Sequence, residues 1–244
     1  MKRYFVELSY NGTSFFGWQR QPRQISVQEE IENAFTKLNS NKPIQVVGCG
    51  RTDTGVHAHH YILHVDLEDS FEMDQLVYKL NKILPNTIAI RAIHEVSMEQ
   101  HARFSATSRT YRYFLHSKKD PFQLDSSLYF AFPLNFEAMN KAGELILGTH
   151  DFTSFSKVNT DVKTNICKVS KAKWEKVDDH TFYFEITADR FLRNMVRATV
   201  GTLIEIGLGK MKPEEIIDVL QAKDRGAAAI SVPAHGLFLW EVKY

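Results

Sequence analysis

The sequence predicts an α+β protein in two related halves, and three observations carry that expectation. Apolar and polar residues alternate at period two in several short runs, among them the one holding Tyr4, Val6, Leu8 and Tyr10. Between such runs stand stretches with apolar residues at helical spacing, as in Val27, Ile31, Ala34, Phe35 and Leu38. The same interleaving recurs in the second part of the chain, which predicts a mostly antiparallel mixed sheet with helices on one face in each half.

Taken in order, residues 4–10 read as a half-buried strand. Ser26-Val27-Gln28-Glu29 is a capping box that opens the first helix. Residues 44–47 form a short apolar strand, and Tyr61, Leu63, Val65 and Leu67 alternate as another. Leu76, Val77, Leu80 and Ile83 make a helical stripe that Pro85 ends, and residues 87–96 read as extended. Residues 108–117 alternate, with Tyr111, Tyr113 and Leu115 on one face. Phe136, Met139, Gly143 and Ile146 predict a helix that stops at Gly148. Residues 168–175 and 181–188 are strand-like, and 190–206 reads as a helix ending at Gly207. A short helix follows Pro213, and residues 237–244 close the chain as a strand. The halves are expected to be 1–105 and 106–244.

With 244 residues the chain can bury a large core as one large or two small domains. No apolar stretch approaches the roughly 20 residues that a spanning helix needs, and the N-terminus lacks the apolar centre of a signal peptide. The only cysteines, Cys49 and Cys167, stand far apart, which suits a reducing compartment and predicts a cytoplasmic location. A net charge of +1 does not announce a nucleic-acid binder, but the charge is segregated. Residues 157–176 carry six lysines against two acids, 101–119 carry three arginines and two lysines against none, and 66–74 hold five acids and no base. That pattern allows a basic, RNA-binding face on a nearly neutral protein.

The most informative stretch is Gly48-Cys49-Gly50-Arg51-Thr52-Asp53-Thr54-Gly55-Val56-His57-Ala58. Three glycines bracket one arginine and one aspartate directly after a strand, and glycine lets backbone approach a ligand or take φ > 0. The spacing is not that of a phosphate-binding P-loop. Such a run can be a glycine-rich turn in which Arg51 and Asp53 merely pair, and a carboxylate two residues from a guanidinium equally suits chemistry.

This run resembles, almost residue for residue, the active-site loop of the tRNA pseudouridine synthases of the A type. Tyr10-Asn11-Gly12-Thr13 with Phe16-Gly17-Trp18-Gln19 resembles that family's N-terminal signature. His101-Ala102-Arg103-Phe104-Ser105-Ala106 and Arg109-Thr110-Tyr111-Arg112-Tyr113 resemble its central one. Gly148-Thr149-His150-Asp151-Phe152, Met195-Val196-Arg197 and Ala234-His235-Gly236-Leu237 follow in the family's order. Departures include Asn11, Cys49, Thr54, Asp189-Arg190 and the 163–167 stretch, none of which touches Asp53, Arg197 or Tyr111.

The resemblance implies two related halves with sheets joined around a central RNA-binding cleft, a homodimer, and tRNA as partner. It implies an isomerase that turns uridines 38, 39 and 40 of the anticodon stem-loop into pseudouridine. The base leaves its N1 linkage and rejoins through C5, so no redox cofactor, ATP or metal is called for. Asp53 is implied as the nucleophile, with attack at C6, attack at C1′ and a glycal route all open. Arg197 is implied as the cation paired with that aspartate; Arg190, Arg193 and Arg197 recur at i, i+3 and i+7, as on one helical stripe. Arg51 matches the arginine that displaces the target base, with phosphate neutralisation or pairing to Asp53 as competing roles. Tyr111 matches the active-site tyrosine, Tyr113 reads as core, and Leu237 matches the leucine lining the uracil pocket. His57, His59, His60 and His64 read as surface or RNA-facing, because strand alternation keeps them from converging on a metal. A non-catalytic tRNA-binding protein and an aspartate-dependent nucleoside hydrolase are the alternatives.

Overall fold

The computed structural model describes residues 1–68, 71–157 and 163–244, which form two compact units: 1–107 with 238–244, and 108–237. The acidic run at 66–74 and the lysine-rich run at 157–176 therefore fall partly outside the described residues.

In the first unit, β1 (Lys2–Tyr10) lies between β4 (Ile88–Val96) and β3 (His57–Leu67), antiparallel to both. The short β2 (Val46–Gly48) pairs with the far part of β3, opposite Leu63 to Val65. The Ile44 amide donates to the Thr36 hydroxyl at 3.1 Å instead of joining the ladder, and the strand begins two residues later than the apolar pattern suggests. Helix α1 (Val27–Leu38) starts at Ser26, whose hydroxyl accepts from the Glu29 amide at 3.3 Å, as the capping sequence predicts. It packs beside α2 (Met73–Ile83), which lies on β4. Tyr4, Val6 and Leu8 share a buried core with Ile31, Phe35, Leu76 and Leu80.

In the second unit, β5 (Ser108–His116) and β6 (Leu128–Tyr129) run parallel. An antiparallel ladder continues from β5 through β9 (Thr181–Ala188) and β8 (Ile166–Lys176) to β7 (Gly148–Asp151). Helix α3 (Phe136–Leu145) packs on β8 and on α4 (Met195–Gly207). Almost every residue of α4 is buried, which is why its sequence is apolar all round rather than striped. Helix α5 (Glu215–Ala222) follows Pro213 as expected. Strand β10 (Leu237–Lys243) returns to the first unit and runs parallel to β3, Phe238 opposite His57. The architecture is α+β with mostly antiparallel pairing.

One expected element is corrected. The helix predicted over 190–206 begins only at Met195, because Asn194 takes a left-handed backbone (φ 69°) just before it. Upstream, the Asp189 carboxylate accepts from the Arg190 and Lys168 amides instead. Arg190 and Arg193 thus precede the helix and share no stripe with Arg197.

Candidate active site

Residues 49–56, the loop between β2 and β3, carry Asp53, and backbone contacts from 12–18 fix them. The Trp18 amide donates to the Thr52 carbonyl at 3.2 Å, and the Gly55 amide to the Phe15 carbonyl at 3.3 Å. Within the loop the Val56 amide closes a turn on the Asp53 carbonyl at 3.1 Å. The Tyr10 hydroxyl bonds the Thr52 hydroxyl at 2.9 Å, and the Tyr61 hydroxyl donates to the Gly50 carbonyl. Trp18 stacks on Tyr61 with ring centroids 4.1 Å apart beneath them.

Two glycines make this grip possible. A Cβ on Gly12 would lie 2.0 Å from the Val56 carbonyl oxygen, and one on Gly17, itself at φ +88°, would lie 2.4 Å from that of Thr52. The N-terminal signature therefore acts as a clamp on the aspartate loop. It leaves Asp53 half-buried and Arg51 exposed.

Two of the four histidines, His57 and His64, depart from expectation. His57 is 1% exposed and accepts the Gly12 amide on Nδ1 at 3.0 Å; His64 is 6% exposed and accepts the Ala102 amide on Nδ1 at 3.0 Å. Both are acceptors for buried amides, not surface groups, because an orphaned amide in a dry interior is costly. His59, which stacks on Trp240 at 4.1 Å, is exposed. Among the described residues no group of three His, Cys, Asp or Glu could hold a metal ion.

In the second unit, Tyr111 sits half-buried on β5, its ring edge-on to Phe191 at 5.0 Å. Tyr113, two residues on, is fully buried as expected, and its hydroxyl donates to the Pro233 carbonyl at 3.0 Å. Burial pushes its phenol pKa well up, while the Arg197 guanidinium pulls the other way. Arg197, in the first turn of α4, donates from Nε to the Val232 carbonyl at 2.7 Å and accepts the Val232 amide at 3.2 Å on its own carbonyl. The 232–236 segment is thus tied to α4 and to β5 at once, and it delivers Leu237, buried, at the start of β10. Arg197, Tyr111 and Leu237 belong to this one framework, whereas Arg51 and Asp53 share the loop of the first unit.

A family model described as tRNA pseudouridine synthase matches residues 8–105 and 142–244. The chain belongs to that family. It is 50% identical to a tRNA pseudouridine synthase A of Parabacteroides distasonis over 247 residues, covering 100% of this chain and 96% of that protein. It is 47% identical to the tRNA pseudouridine synthase A of Porphyromonas gingivalis, covering 100% and 98%. With that of Bacillus subtilis it shares 40% over 240 residues, covering 97% of each. The first matched block of the tRNA pseudouridine synthase model holds the clamp and the Asp53 loop, and the second holds Arg197 and Leu237. Tyr111 lies between the blocks. Family membership makes the chain an enzyme, a pseudouridine synthase. None of its described helices is long and apolar enough to cross a membrane.

Sequence reasoning alone did not find Tyr10, Thr52 and Tyr61 as supports of the loop. The signal was the pair Gly12 and Gly17, whose need for close approach points to a backbone packed against them.

Proposed function

We propose that the chain isomerises uridines 38, 39 and 40 of the tRNA anticodon stem-loop to pseudouridine, with Asp53 as the nucleophile. The setting of Asp53 carries this reading: a half-buried carboxylate on a loop gripped by residues 12–18, inside the family's motif. A group so fixed suits attack on one carbon of a displaced base, where small misplacements are costly.

The carboxylate adds to C6 of the base or to C1′ of the ribose, and the N1–C1′ bond breaks. The base turns, C5 bonds to C1′, the C5 proton is lost and N1 gains one, and the carboxylate leaves. Asp53 attacks as the carboxylate, and Arg197, within Met195-Val196-Arg197, is the cation expected to pair with it. Arg51 fills or flanks the space left by the uridine as it leaves its stem, a displacement costing a few kcal/mol. Tyr111 stacks on the flipped uracil, and Leu237 lines its pocket. The enzyme acts as a homodimer in the cytoplasm.

Incubating the purified protein with unmodified tRNA and mapping carbodiimide-reactive pseudouridine tests the proposal. Product is expected at 38–40 with the natural chain and none with Asp53→Ala, which should still shift tRNA on a gel. Full activity of Asp53→Ala would remove the mechanism. A tRNA shift without product from the natural chain would leave only a binding role.

A further inference from the structure

The His101–Ser105 turn of the first unit is held more firmly than a surface turn needs. The His101 amide donates to the Ser105 hydroxyl and the Ser105 amide to the His101 carbonyl, each at 2.9 Å. The His101 Nδ1 accepts the Arg103 and Phe104 amides at 3.1 and 3.3 Å. From the interior, His64 takes the Ala102 amide and the Tyr244 hydroxyl donates to the Ala102 carbonyl at 2.6 Å. The turn presents Phe104, 76% exposed, outward. Its ring lies 4.4 Å from the His101 ring, with the exposed Arg103 guanidinium 5.7 Å from its centroid.

A large apolar ring kept in water on a fixed turn, backed by a second ring and beside a cation, has the make-up of a stacking platform for a nucleobase. Resting on the reading of the chain as a tRNA-modifying enzyme, we propose that Phe104 stacks an unpaired base of the tRNA while Arg103 meets the adjoining phosphate. The base is not the target uridine. His64, which anchors the turn, lies seven residues along β3 from His57, which anchors the clamp beside the Asp53 loop, about 23 Å at strand rise. The platform is therefore a second grip that sets where along the RNA the target falls.

Tyr78 is the comparison: 63% exposed in the same unit, with Lys82 5.5 Å from its ring, but on a helix with no second ring behind it among the described residues. Equilibrium binding of unmodified tRNA would be measured for the full chain and its variants, with circular dichroism as a check on folding. Phe104→Ala should weaken binding roughly five- to 150-fold. Phe104→Tyr should stay within about twofold, and Tyr78→Ala should leave binding unchanged. Arg103→Ala should lower the slope of log K against log salt by about one. Natural affinity in Phe104→Ala, or equal loss in Phe104→Tyr and Phe104→Ala, overturns the platform. If the natural chain makes no pseudouridine, the functional reading fails by itself, whatever Phe104 does to binding.

Discussion

Gly17 illustrates how much of this site rests on single backbone positions. Any L residue there meets both the left-handed φ and the Thr52 carbonyl, so Gly17→Ala should cost about 1–3 kcal/mol of stability. It should also lower the single-turnover rate more than tRNA affinity, because the shift falls on the loop carrying Asp53. Thermal unfolding with rapid-quench kinetics checks this; unchanged values for both would show that the clamp does not position the loop. The glycines were visible in the sequence as part of a signature, and so was Asp53. Their partners were not. His57 bonds an amide 45 residues away and His64 one 38 residues away, distances at which no local pattern survives. Strand alternation placed these histidines on faces without saying what covers each face.

At the level of elements, the His64 turn and α4 teach opposite lessons. Burial, with the nearby Arg3 and His101 charges, lowers the His64 pKa from 6.5 to about 4, and Asp66 pulls it back only in part. Between those values the unfolded chain takes up a proton that native His64 refuses. Its contribution to stability is therefore complete above pH 6.5, shrinks as pH falls, and levels off below about 4. The loss is at most about 3 kcal/mol, with the lowered pKa of His101 adding in the same direction. Denaturant unfolding of the natural chain and of His64→Gln across pH 4–7 should show a steeper fall in the former, the part that His101 contributes remaining in the variant. The helix α4, by contrast, misled at its start. Leu192, Val196, Val200 and Leu203 keep helical spacing through 190–194, yet one left-handed residue, Asn194, moves the start to Met195. Asparagine tolerates that backbone better than most residues, and the asparagine itself was the overlooked sign. Arg197 kept its place because it lies beyond the break.

For the molecule as a whole, a net charge of +1 tells little, and distribution tells more. Lys168 and Lys173 are exposed on β8, while Lys171 is engaged with Glu175 and Glu185. If β8 offers its lysines to phosphates, tRNA affinity should fall steeply with salt. The double change Lys168→Ala and Lys173→Ala should reduce that slope by about two, equally for different tRNAs. An unaltered slope would place the basic face elsewhere. Sedimentation of the natural chain at micromolar concentration should return a dimer. The α+β class was legible throughout because alternation and helical stripes switch cleanly along the chain. The short β6 and β7 were not, since two to four residues hold too little of any period.

Strand β10 has a consequence for how the protein is made. The part of β3 at His57 and Ala58 takes its parallel neighbour from Phe238 and Leu239, yet residues 108–237 are translated in between. A nascent chain that has just emerged past Thr107 carries the aspartate loop and its whole clamp beside an open sheet edge. Such edges invite wrong pairing with other strands. Removing residues 238–244 should leave that edge open in the released chain as well, and light scattering should then show aggregation that the natural chain does not.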